Sequence, residues 1–118
     1  MKSFEIITDS DPIIISAGEN AQDNFDLIDK SLESGKNCYW FHLSEYPSPH
    51  IIVMLPDGCS IKYEYIRIAA EYTKNSTKKH KNRRDLAIIY TQLSNVIKME
   101  NIGEVTFKSN RKVKKIVI

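Results

Sequence analysis

The eleven residues Lys74-Asn75-Ser76-Thr77-Lys78-Lys79-His80-Lys81-Asn82-Arg83-Arg84 hold six Lys or Arg and no acid. Ammonium and guanidinium groups displace condensed counterions from a phosphate backbone, which gives affinity without sequence preference. Asn75, Ser76, Thr77 and Asn82 add neutral donors for phosphate oxygens. Lys98, Lys108 and Arg111, with Lys112, Lys114 and Lys115, extend this basic surface if the closing segment of the chain lies alongside. Without a ligand, the same stretch is a solvated basic loop. Tyr39, Trp40, Phe41 and Tyr46 are rings of the kind that stack on unpaired bases. Strand alternation turns Tyr39 and Phe41 one way and Trp40 and His42 the other, so at least one pair belongs to the core, and Trp40 is read as packed.

Other reactive side chains carry less. His42 and His50 fall on segments expected to pair, which brings their imidazoles near each other. With Cys38 and Cys59 they match no familiar zinc spacing. Neither cysteine sits in a nucleophile motif. Ser48, between Pro47 and Pro49, lacks a G-x-S-x-G context, and only four glycines leave no phosphate-cradling loop. The residues therefore assign no catalytic group, metal, cofactor or small-molecule substrate. The histidines are expected to hydrogen-bond across the strand pair, or to Asn20 or Asn24, and to shape the loop Ser44 to Pro49.

The chain has 118 residues, 42% apolar and 27% charged, a composition that suits one soluble domain spanning 1–118. Its net charge of +2 conceals a split: residues 1–60 carry ten acids and three bases, residues 61–118 fourteen bases and five acids. The two cysteines suggest reduced thiols. No apolar run approaches a membrane span, and Met1-Lys2-Ser3-Phe4-Glu5 leads into no apolar signal region, so a cytoplasmic protein without membrane contact is expected.

The elements that must position these groups follow from periodicity. Phe4–Ile7 and Pro12–Ser16 flank the turn signal Asp9-Ser10-Asp11 and read as a hairpin. Asn20 is an N-cap for a helix whose apolar face is Ala21, Phe25, Ile28 and Leu32, ended by Gly35. Its other face carries Asp23, Asp26, Asp29 and Glu33. Cys38–Leu43 and His50–Leu55 read as an antiparallel pair, the second buried on both sides if central. A second helix runs from Ser60 to about Lys74, with Ile61, Tyr65, Ile68, Ala69 and Tyr72 on one face. A strand at Leu86–Tyr90 precedes a closing hairpin of Glu104–Phe107 and Val113–Ile118 around Ser109-Asn110. The order β-β-α-β-β-α-β-β-β indicates an α+β fold, a mainly antiparallel sheet with two principal helices on one side.

Gly18-Glu19-Asn20-Ala21-Gln22-Asp23-Asn24-Phe25-Asp26-Leu27 resembles the G-x-N-A-x-x-N-x-x-L opening of the NFACT-R domain. Tyr39-Trp40-Phe41-His42 resembles that family's W-F-H strand, and Pro47-Ser48-Pro49-His50-Ile51 its P-x-S-H-V element with one substitution. Ala69-Ala70 with Lys74-Asn75-Ser76, then Ile89-Tyr90-Thr91, Asn95-Val96 and Gly103-Glu104-Val105-Thr106-Phe107, are similar to later family segments. The resemblance runs from about Gly18 to the C-terminus. It implies a non-enzymatic RNA-binding domain of NEMF- and RqcH-type ribosome quality-control proteins, here in a minimal stand-alone form similar to the coiled-coil domain-containing protein 25 family. Transfer or ribosomal RNA, and a ribosome or ribosomal protein, are partners implied by the resemblance alone, with DNA open as the other nucleic acid. Gly18, Asn20, Asn24, Trp40, His42, Ser48 and His50 are the motif residues, forming either a binding surface or its scaffold.

Three positions depart from the family pattern. Glu19 replaces a frequent base, Cys38 an acid two residues before the tryptophan, and Phe25 the acid after the second asparagine. The expected interface is then Lys74, Lys78, Lys79, Lys81, Arg83, Arg84, Lys98, Lys108 and Arg111, abolished by charge reversal at Lys78, Lys79, Arg83 and Arg84. The alternative is a protein-interaction adaptor docking through the acidic first helix, with Glu19, Asp23, Asp26 and Asp29 facing a basic partner.

Overall fold

The computed structural model describes residues 1–118. Strands β1 (Lys2–Ile6) and β2 (Ile13–Ala17) form the opening hairpin, with Phe4 opposite Ile15. Helix α1 (Ala21–Glu33) starts where Asn20 turns extended and its Oδ1 accepts from the Asp23 N–H at 2.8 Å. Asp23 Oδ2 in turn accepts the N–H of Glu19, the residue before the cap, at 2.9 Å, a variant of the capping box that fixes the chain's entry into the helix. Gly35, at φ +68°, takes the left-handed turn that releases the chain. Leu27 rather than Leu32 completes the buried stripe of α1, and Leu32 stays exposed.

Strands β3 (Asn37–Leu43) and β4 (Ile51–Leu55) pair antiparallel as expected, Trp40 opposite Ile52 and Phe41 opposite Ile51. Helix α2 (Tyr63–Asn75) follows, starting three residues later than the periodicity suggested. It ends on hydroxyls that bond back to carbonyls four residues earlier: Thr73 to Ala69 at 2.8 Å, Ser76 to Tyr72 at 2.7 Å and Thr77 to Thr73 at 3.0 Å. These bonds satisfy the last carbonyls without continuing the helix and give the basic loop a fixed starting point. Strand β5 (Ala87–Gln92) then enters the sheet beside β3.

Beyond β5 the structure departs from the expected closing hairpin. Strand β6 (Val96–Lys98), too short to stand out as a pattern, pairs with β7 (Val105–Phe107) in a separate two-stranded ribbon. Strand β8 (Lys114–Val117) instead pairs antiparallel with β5. Asn95 is the cause. Its side chain receives the Ser109 N–H at 2.9 Å and donates to the Ser109 carbonyl at 2.9 Å, clamping the chain beside β6. A 3₁₀ turn at Asn110–Lys112 then redirects the chain to the sheet edge, so Ser109-Asn110 marks a corner rather than a hairpin tip.

The main sheet, ordered β1-β2-β4-β3-β5-β8, is antiparallel throughout. The α+β expectation holds, but the helices lie on opposite faces. Ile13, Ile15, Phe41, Leu43, Ile51, Val53, Leu55 and Ile88 pack with Ala69 and Ala70 of α2. Cys38, Trp40 and Ile52 pack with Phe25, Leu27 and Ile28 of α1, and with Leu93 and Val96. The alternating residues of β3 and β4 thus fill two cores. Fully burying a side chain of this size contributes about 1.5–3 kcal/mol, so both faces need a covering layer.

Candidate nucleic-acid interface

Gly18 closes β2 and donates its N–H to the His50 carbonyl at 3.0 Å. Asn24, in the first turns of α1, lies so close that a Cβ on Gly18 would stand 1.9 Å from Asn24 Oδ1 and 2.9 Å from its Cα. Only glycine fits there. The same Asn24 Oδ1 accepts the His50 N–H at 3.1 Å, tying α1 to the start of β4. Trp40 Nε1 donates to His50 Nδ1 at 3.1 Å. An indole N–H can only donate, so the proton of the neutral His50 ring sits on Nε2.

Burial, and then the neighbouring His42, push the His50 pKa down to about 4, so its ring is neutral at pH 7. His42 stacks on Trp40 with ring centroids 5.5 Å apart, and its ring centroid is 5.3 Å from that of His50. Burial lowers its pKa as well. Ser48 Oγ accepts the Leu43 N–H at 3.1 Å and donates to the Pro49 carbonyl at 3.0 Å, which pins the β3–β4 loop. The motif residues therefore form one hydrogen-bonded frame. Trp40, Asn24 and His50 are buried, and Trp40 Nε1, His50 Nδ1 and Asn24 Oδ1 are each engaged within the frame.

A cleft of about 390 Å³ lies over this frame, lined by Gly18, Asn20, Asn24 and Ser48 on one side and by Thr77, Lys78 and Lys79 on the other. The basic loop that forms its second wall is ordered by turn bonds. His80 and Lys81 both donate to the Thr77 carbonyl at 3.0 Å, and Arg83 to that of His80 at 3.0 Å. Tyr46 of the β3–β4 loop anchors it, stacking on the buried His80 at 4.1 Å between centroids. Arg83 lies over the Tyr46 ring at 4.8 Å and donates to its hydroxyl. Lys78, Lys79, Lys81 and Arg84 are exposed and form no ion pair. Lys74 is turned inward, with Nζ 3.2 Å from the Ile118 main-chain oxygen.

A second basic concavity, about 340 Å³, lies at the other end of β5, roughly 17 Å of strand away. Lys108 and Arg111 line it with Lys112, Lys114, Tyr39 and Tyr90, and it has no acidic wall.

A model of the family described as the NFACT protein RNA binding domain matches residues 2–109. The chain belongs to this family. The NFACT domain here is also 26% identical over 114 residues to coiled-coil domain-containing protein 25 of Danio rerio, covering 92% of this chain and 54% of that protein. Among solved structures it is similar to the C-terminal part of the fibronectin/fibrinogen-binding protein from Streptococcus suis, with a TM-score of 0.74 and 22% identity over 90% of this chain and 41% of the other. At that identity the likeness speaks for the fold. The chain spans about half the length of the curated relative it matches.

On this NFACT domain the expected site residues fall into separate groups. Lys78, Lys79, Lys81, Arg83 and Arg84 share the loop beside the motif frame; Lys108 and Arg111 share the far concavity. Lys98 joins neither, because its Nζ lies 2.6 Å from Asp29 Oδ1 and 5.3 Å from the Phe25 ring centroid, on the α1 side. Of the departures from the family pattern, Phe25 and Cys38 are buried in the core between α1 and the sheet, and the Cys38 thiol pKa is raised by that burial. Glu19 is 2.9 Å from the Met1 amino group and 3.9 Å from Lys2 Nζ. On the acidic helix, Asp23 serves the cap, Asp26 accepts from Gln22 at 2.9 Å and Asp29 holds Lys98. Cys38 and Cys59 are free thiols in different cores. No three His, Cys, Asp or Glu side chains converge in metal-binding geometry, and no helix is long and apolar enough to cross a membrane.

Proposed function

We propose that this NFACT domain is a non-enzymatic RNA-binding module that grips the phosphate backbone with Lys78, Lys79, Lys81 and Arg84. Its setting in this reading is cytoplasmic, on or near the translation machinery, with structured RNA of the transfer- or ribosomal-RNA type as partner. One observation carries it: four exposed cations without ion-pair partners stand on a loop made rigid by Tyr46, His80 and Arg83, beside the motif frame of a family named for binding RNA. Four like charges held together gain most from an anion that releases its own counterions on binding. Rigidity lowers the ordering cost of that contact.

The test is a fluorescence-anisotropy titration with single-stranded RNA, a transfer-RNA-like hairpin and matched duplex DNA, each at two salt concentrations. Structured RNA should bind best and lose affinity as salt rises. Reversing Lys78, Lys79, Lys81 and Arg84 to Glu should weaken binding about 1,000-fold at ~0.1 M salt and flatten the log–log salt slope by about 3. Arg83 is spared in this variant because it packs on Tyr46. If the folded variant binds with unchanged slope, the loop is not the site. Absence of binding by the parent chain at low salt would favour a protein partner on the acidic face of α1.

A further inference from the structure

The concavity at the Gln92 end of β5 is built differently from the loop. Four exposed cations, Lys108, Arg111, Lys112 and Lys114, surround it, and none has a carboxylate within ion-pair distance. Its floor and rim are fixed. Asn95, buried, donates to Thr91 Oγ1 at 3.1 Å and exchanges two bonds with Ser109. Thr91 Oγ1 donates in turn to the Lys112 carbonyl at 3.0 Å. These bonds hold the 3₁₀ turn Asn110–Lys112, and with it two of the four cations, against the sheet. One wall is aromatic: Tyr90 is braced on Phe41 at 5.2 Å between centroids, with Tyr39 beside it. Gln92 and Ser94 add side-chain polar groups at the rim.

We propose that this concavity is a nucleotide subsite that holds one phosphate-bearing nucleoside unit. The phosphate lies among Lys108, Arg111, Lys112 and Lys114, and the base against Tyr39 and Tyr90. The pocket's 340 Å³ lies within the size range of small-ligand sites, about 300–1,000 Å³. Arg111 supplies the planar fork that pairs two phosphate oxygens, and the lysines add point charges. An inorganic anion would use the cations but leave the tyrosine wall idle; a nucleotide uses both, since every base offers a π-face. The source is either a free nucleotide or a nucleotide of an RNA chain. The second source extends the RNA reading above to a second contact at the far end of β5.

The experiment is calorimetric and NMR titration of the whole chain with AMP, UMP, adenosine, inorganic phosphate and a short oligonucleotide with and without a 5′-phosphate. AMP and UMP should bind, shifting amide signals of Tyr39, Tyr90 and residues 108–114, with adenosine and inorganic phosphate each much weaker. Replacing Arg111, Lys112 and Lys114 by Ala removes only exposed side chains and should weaken AMP about tenfold or more. The four-site loop variant should leave AMP binding unchanged. AMP binding tighter than that of the oligonucleotides marks a free nucleotide as the source; tighter binding of the 5′-phosphorylated oligonucleotide marks a chain terminus. Either result supports the subsite. Inorganic phosphate binding as tightly as AMP would overturn it, as would AMP binding that survives the pocket variant or vanishes in the loop variant. AMP binding at the pocket together with unchanged RNA binding by the loop variant would sink the loop reading and leave this one standing.

Discussion

The motif frame and the basic loop line the same cleft, yet they are assembled on opposite principles. In the frame, Gly18, Asn24, Trp40 and His50 bond to one another through the Gly18 N–H, Asn24 Oδ1, Trp40 Nε1 and His50 Nδ1, and lie almost wholly out of water. In the loop, Lys78, Lys79, Lys81 and Arg84 are exposed and spend nothing on the fold. A side chain already satisfied by its neighbours has little left to give a ligand; one without a partner keeps its full charge for it. The comparison separates what a family motif marks from what binds. Here the motif marks the support and the basic loop carries the charge. Variants in the two regions should therefore fail in different assays: the loop reversal described above changes affinity and spares stability, whereas frame variants lower stability first.

The largest of the frame effects is expected at Gly18. Gly18→Ala places a methyl group on Asn24, 1.9 Å from Oδ1 and 2.9 Å from the Cα, so moving the side chain alone does not relieve it; α1 or β4 must shift and the Asn24–His50 bond is strained. The expected loss is about 3 kcal/mol, read by urea denaturation. A variant as stable as the parent would mean that the Gly18 contact relaxes freely and the frame is not rigid.

Next comes the proton balance of His50. Its pKa falls from the usual 6.5 to about 4 on folding, so between those values the unfolded chain binds the extra proton. Stability is therefore full above pH 6.5, declines as pH falls through that window and has lost about 3 kcal/mol near pH 4. His42, also lowered by burial, acts in the same direction. Unfolding curves of the parent and of His50→Asn across this range should differ, the variant showing the flatter dependence. Equal slopes would place the acid sensitivity elsewhere. Trp40→Phe sharpens the point with a smaller cost of about 1–3 kcal/mol, because His50 Nδ1 loses its donor. Without that donor a protonated His50 is less opposed, and its pKa should rise toward 6.5 by NMR titration.

How much of this could be read in advance varied by element. Asn20 as N-cap, the β1–β2 hairpin and the β3–β4 pair were plain, because each is a local pattern of cap, turn or alternation. The unbroken apolar run of β4 already indicated burial on both faces. Such a strand needs a layer over each face, which is why the helices lie on opposite faces of the sheet rather than on one. Strand β6 stayed hidden because three residues carry no period, and the β6–β7 pairing depends on Asn95 clamping Ser109 across fourteen residues. The basic loop stood out as composition. Its anchor on Tyr46, and the joining of Tyr39 and Tyr90 to residues 108–114, rest on contacts that no spacing reveals.

The mildest effect is expected at Lys98, which composition alone would group with the binding lysines. Its ammonium lies 2.6 Å from Asp29 and over Phe25, on the far side of the sheet from α2. An exposed pair of this kind contributes about 0–1 kcal/mol, so Lys98→Glu should cost at most that much stability, through repulsion of Asp29. RNA affinity and salt slope should stay within error of the parent, while a single reversal at Lys79 flattens the slope by about 0.7. A clear loss of RNA binding in Lys98→Glu would mean that the nucleic acid wraps the α1 face. The division between an uncharged support and a charged loop would then have to be redrawn around the β6–β7 ribbon.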